Sequence, residues 1–110
     1  MSYLNYEPAG EGEVASAPDP GPWRVAVEYS NGGNAKPPTV IDIGTTQYDV
    51  RAEALAAARQ TAFEHVPPDP WSIQGRQVFR DGPGGFLVVL QGATTTFHMS
   101  VRLLSPLEAP

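Results

Sequence analysis

Between Asp49 and Val66 the chain reads DVRAEALAAARQTAFEHV, the stretch richest in strong helix formers and long enough for several helical turns. Ala52, Leu55, Ala56, Ala62, Phe63 and Val66 recur at three- and four-residue spacings, which predicts that they line one buried side. Arg51, Glu53, Gln60 and Glu64 fall elsewhere on the cylinder. The alanines between Ala54 and Ala58 give a slim profile, so this helix can sit close on a sheet. Asp49 stands where a carboxylate would accept from the first-turn N–H groups, and is the expected N-cap.

The segments on either side of the helix carry the two-residue period of strands. In Trp23–Ser30, Trp23, Val25, Val27 and Tyr29 alternate with Arg24, Ala26, Glu28 and Ser30. Asn31–Pro38, NGGNAKPP, is a loop longer than a two-residue hairpin needs. Thr39–Ile43 resumes the strand, with Ile41 and Ile43 expected inward and Val40 and Asp42 outward. After the helix, Pro67, Pro68 and Pro70 enforce an extended connection that Trp71 is expected to anchor. Ile73–Arg80 is a strand of weaker pattern. Its Gln77 and Phe79 are expected on the inner face, and Arg76, Val78 and Arg80 on the outer. Asp81–Gly85, DGPGG, is a turn. Phe86–Leu90, FLVVL, is apolar on both faces, as in a central strand covered on both sides or one whose outer side meets a partner. From Thr94 to Leu103, Phe97, Met99, Val101 and Leu103 alternate with Thr96, His98, Ser100 and Arg102.

The order β-β-α-β-β-β predicts an α+β fold of two layers, one mainly antiparallel sheet with a single helix packed on one face. At 110 residues and 41% hydrophobic content the chain supports one core. The expected division is an acidic, Pro/Gly-rich disordered tail over residues 1–22, a domain over 23–105, and a frayed end over 106–110. Within the tail, Tyr3, Leu4 and Tyr6 are the side chains suited to docking on a groove or sheet edge.

Charge and cysteine content narrow the function classes. Of the net −5, four acids (Glu7, Glu11, Glu13, Asp19) precede Trp23 with no Lys or Arg among them, so the remainder is close to neutral. Neither a nucleic-acid footprint nor a polybasic membrane patch is expected from such a balance. With no cysteine, disulfides, thiolate nucleophiles and Cys-based metal sites are excluded. The N-terminal residues lack a signal-peptide pattern and no apolar run has membrane-spanning length, which makes a soluble cytoplasmic protein the expectation.

No catalytic signature is present, and no catalytic residue, cofactor or metal site is assigned. His98 and Ser100 share a strand face, but neighbours on one face point in parallel, and no Gly-x-Ser-x-Gly turn accompanies them. His65 and His98 lack His-x-His or His-Glu-x-x-His spacing, and His65 suits the helix C-terminal dipole. The glycines of residues 31–34 and 81–85 neither precede a helix nor end in Gly-Lys-Ser/Thr. Gly44, Thr46, Glu53, Ala54 and Leu55 resemble the strand-then-helix part of HicB-like antitoxin domains. That resemblance covers under a third of the chain and does not continue into the three later strands, so no family is inferred from it.

The functional expectation therefore rests on the sheet face turned away from the helix, with Arg76, Val78, Arg80, Thr96, His98, Ser100 and Arg102 as its candidate residues. The leading expectation is a non-enzymatic module that binds a protein partner or a second copy of itself through that face. The alternative is a small-ligand or anion-binding protein, a small enzyme included, that uses the Arg/His cluster on the same face.

Overall fold

The computed structural model describes residues 20–32, 36–68 and 72–107. The expectations for the acidic tail over residues 1–19, with Tyr3, Leu4 and Tyr6, for Pro70 and Trp71, and for residues 108–110 lie outside the described residues.

The elements are β1 (Arg24–Ser30), β2 (Thr39–Ile43), α1 (Arg51–Glu64), β3 (Gly75–Arg80), β4 (Gly85–Gln91) and β5 (Thr96–Leu104). They form one antiparallel five-stranded sheet in the order β2-β1-β5-β4-β3, with the helix packed on one face, as the sequence predicts. Three of the four neighbouring pairs join strands consecutive in the chain. The fourth, β1 with β5, closes the sheet and puts β5 in its middle.

The core lies between the helix and the inner faces of the central strands. Val88, Leu90, Met99 and Val101 are fully buried there, with Val27 and Phe86 beside them. Cross-strand pairing explains why these side chains meet: Val88 is opposite Met99 and Phe86 opposite Val101, so each pair points to the same side. On β1, Val25, Val27 and Tyr29 face the helix as their alternation predicts.

Residues Trp23 and Tyr48 tie the start of the sheet to the approach of the helix by two backbone hydrogen bonds of 2.7 and 2.8 Å. Trp23 is buried, and the Arg51 guanidinium lies over its ring, 5.5 Å from the centroid. Arg51 also donates 3.1 Å to the Pro83 carbonyl, linking the first helical turn to the β3–β4 turn.

Two expectations about the helix are corrected. The buried stripe of α1 is Ala54, Ala58 and Ala62, with Leu55 packed against the core; Leu55 and Ala62 thus lie on the helix's inner side as expected, whereas Ala52 and Ala56 are exposed and Phe63 and Val66 are 49% and 67% exposed. The helix is thus rotated by roughly 100°, one residue position, from the side the larger apolar residues define. Close approach to Val88, Leu90, Met99 and Val101 selects the smallest side chains, and an i, i+4, i+8 alanine row provides them. Asp49 is not the N-cap; Val50 is, with no side-chain cap bond, and its carbonyl accepts from Glu53 and Ala54 at 3.1 and 3.2 Å.

On β2 the faces are reversed from expectation. Ile41 pairs with Glu28 and Ile43 with Ala26, on the side away from the helix, while Val40 and Asp42 share the helix side with Tyr29 and Val27. β2 is an edge strand beyond the reach of α1, so burying its isoleucines under the helix is not an available solution.

Candidate functional site

The helix covers one face of the sheet and leaves the other open. Rows of cross-strand partners define what that outer face presents. One row runs Ile41, Glu28, Ser100, Leu87, Phe79 from β2 to β3. A second runs Ile43, Ala26, Arg102, Gly85. Toward the opposite strand ends, His98 is opposite Val89, which is opposite Gln77.

Of the residues expected to share this face, Thr96, His98, Ser100 and Arg102 do so, being alternate positions on β5. Arg76, Val78 and Arg80 do not. They pair with Leu90, Val88 and Phe86, whose side chains pack toward α1, so all three belong to the helix side. The expected Arg/His cluster is therefore divided between the two faces. The register set at the β3–β4 turn, where Asp81 N–H donates 2.9 Å to the Gly85 carbonyl, decides this, because a one-residue shift would exchange every side chain between faces.

Arg76 is tolerated on the inner side because its guanidinium has acceptors there. It donates 2.8 Å to the Ala62 carbonyl and 2.7 Å to the His65 carbonyl, closing the C-terminal end of α1. His65 is the C-cap, its ring 6.2 Å from that of Tyr29, which gives it a packed as well as a terminal position.

The same register brings Phe79 to the outer face, a further correction, where it is 48% exposed beside half-buried Leu87. Ile41 and Ile43 are 45% and 41% exposed at the opposite edge. Between these apolar ends Glu28 and Arg102 form a 3.0 Å ion pair, both side chains substantially exposed. Sequence reasoning missed Ile41, Ile43 and Phe79 because it assigned them to the core. The one legible signal was FLVVL, whose Leu87 and Val89 do lie on the outer face.

At one end of the β1–β5 pair the outer face opens into a hollow of about 580 Å³ lined in part by Glu28, Ser30, Thr39, Thr96, His98 and Ser100. Ser100 sits opposite Glu28, but that carboxylate is engaged with Arg102 rather than with the His98 imidazole. Among the described residues no group of three or more His, Asp or Glu side chains is placed to hold a metal ion, and no helix is long and apolar enough to cross a membrane.

No family model, characterised protein or solved structure matches this chain.

Proposed function

We propose that this chain is a non-enzymatic interaction module that binds protein through the open sheet face. The observation that carries the reading is the exposure of Phe79 and, at the other edge, of Ile41 and Ile43 on the side opposite the helix, with Leu87 and Val89 half-buried on the strand next to Phe79. Apolar side chains gathered on one sheet face cost solvation free energy that a covering partner recovers, at about 25 cal/mol per Å² removed from water. The mixture also has the anatomy of an interface, with apolar contact residues, one ion pair and a rim of threonine, serine and glutamine. The ligand or anion reading is weakened by the separation of Arg76 and Arg80 from His98 and Arg102.

Site-specific photo-cross-linking tests this. A photoreactive phenylalanine analogue at position 79 of the full chain, expressed in cells, is expected to give protein adducts, the same chain counting as a partner. The analogue at Phe63, equally exposed on the helix, is the control. Equal adduct yields at the two positions, or none at 79, would count against the reading.

A further inference from the structure

Where the chain enters the sheet, a second hollow of about 660 Å³ has walls that include Pro22, Arg24, Ile43, Leu104, Pro106 and Leu107. Arg24 pairs with Leu104 on β5, and Ile43 is opposite Ala26, the next β1 residue on the same side as Arg24. All three side chains therefore stand on the face turned away from α1. The lining is mainly apolar, with Ile43 and Leu107 both exposed. Prolines have no N–H, so Pro22 and Pro106 offer rings rather than donors, a surface on which aromatic side chains pack.

One cation stands in this wall. Nε of Arg24 donates 2.7 Å to the Gly44 carbonyl, which leaves the two Nη groups for another acceptor. Arg102 has Glu28 at 3.0 Å, but among the described residues Arg24 has no carboxylate partner. The hollow thus suits an occupant that brings apolar rings together with negative charge.

Residues 1–19 bring both, and they are joined to the hollow, because Pro20 also lines it. They carry Tyr3, Leu4 and Tyr6, with Glu7, Glu11, Glu13 and Asp19 and no Lys or Arg. We infer that residues 3–7 of the chain itself occupy this hollow, the tyrosine rings and Leu4 against its prolines and Ile43, and Glu7 toward Arg24. Thirteen residues separate Tyr6 from Pro20, a tether that spans up to about 45 Å when extended and is ample for the return. Such a tether holds the segment at an effective concentration on the order of millimolar, so a modest contact is enough to fill the hollow. The assignment rests on the protein-binding reading and divides the face. The chain's own segment closes the Ile43 edge, and Phe79, Leu87 and Val89 at the other edge are left to the partner.

The chain has no cysteine, so Asn5→Cys in the full chain gives a single thiol for a nitroxide spin label. Amide signals of Arg24, Ile43 and Leu104 are expected to broaden, while those of Phe79 at the far edge and Ala56 on the exposed side of the helix keep their intensity. Adding Tyr3→Ser, Leu4→Ser and Tyr6→Ser should abolish the broadening, and Ile43→Ser or Arg24→Gln should reduce it. Unchanged amide positions on β4 and β5 report that each variant is folded. Broadening that survives the three serines comes from the tether alone and overturns the inference. Broadening centred on Phe79 overturns it too, as does broadening of an isotope-labelled, unmodified chain mixed with the spin-labelled one, which would place the contact between copies. The position-79 cross-links judge the parent reading separately. Serine-sensitive broadening without adducts at 79 keeps the occupant of the hollow and counts against the protein-binding reading. Adducts to an unlike protein with no broadening at Ile43 do the reverse.

Discussion

Arg76 on β3 donates a 2.7 Å hydrogen bond to the carbonyl of His65, the residue that ends α1, and a second of 2.8 Å to Ala62. The last carbonyls of a helix have no partner within it, and α1 has no basic residue of its own in the final turn. An arginine from the edge strand supplies what the helix lacks. It also fastens the sheet to the point where the chain turns into its proline-rich connection.

Replacing Arg76 by alanine removes both donors, and is expected to lower stability by about 1.5–3 kcal/mol, the usual range for hydrogen bonds to a charged group. Arg76→Lys should recover only part of this, because an ammonium is a point charge that lacks the planar fork reaching both carbonyls. Urea denaturation of the three proteins checks the order.

The alanine stripe makes a steric prediction. Ala58 has no exposed surface and Ala56, two residues away, is exposed. Ala58→Leu should cost about 1–3 kcal/mol by forcing the helix off the sheet. Ala56→Leu, with similar helix propensity, should change the denaturation midpoint little.

Two strand glycines should respond differently to a methyl group. At Gly85 an added Cβ would stand 2.8 Å from the Asp81 backbone carbonyl and 3.4 Å from that of Val101. The Asp81 carbonyl cannot move without disturbing the β3–β4 turn, so Gly85→Ala should destabilise by about 1–3 kcal/mol. At Gly75 the nearest atom, also 2.8 Å away, is Oε1 of the Gln91 side chain, which can swing aside. Thermal melts should place Gly75→Ala within a few degrees of wild type and Gly85→Ala clearly below it.

The outer face should be separable from folding. Glu28→Gln breaks an exposed ion pair and should cost no more than about 1 kcal/mol. Phe79→Thr, at a position 48% exposed, should stay within about 0.5 kcal/mol of wild type. Large losses in either chemical denaturation curve would mean that these residues serve the fold rather than a contact.

How far the sequence alone reached follows from which residues had a single low-energy choice. The alternation of Val25, Val27 and Tyr29, and of Phe97, Met99, Val101 and Leu103, left no doubt which side of β1 and β5 would be buried, because the intervening positions are mostly polar. One helix among strands of this kind implied two layers. The helix side was not legible, because alanine is apolar enough to count toward either face, and only the distance of closest approach to Val88 and Met99 selects Ala54, Ala58 and Ala62. Nor were the faces of β2 and β3 legible. Period two defines two sets of side chains but not which set is inside, and on an edge strand neither set must be. Pairing of Val78 with Val88 and of Ile41 with Glu28 settled that, turning Phe79 and both isoleucines outward and Arg76 inward. The tertiary structure could accept an arginine on the helix side because unpaired carbonyls were waiting there, a relation between residues 11 and 14 positions apart that no local pattern encodes.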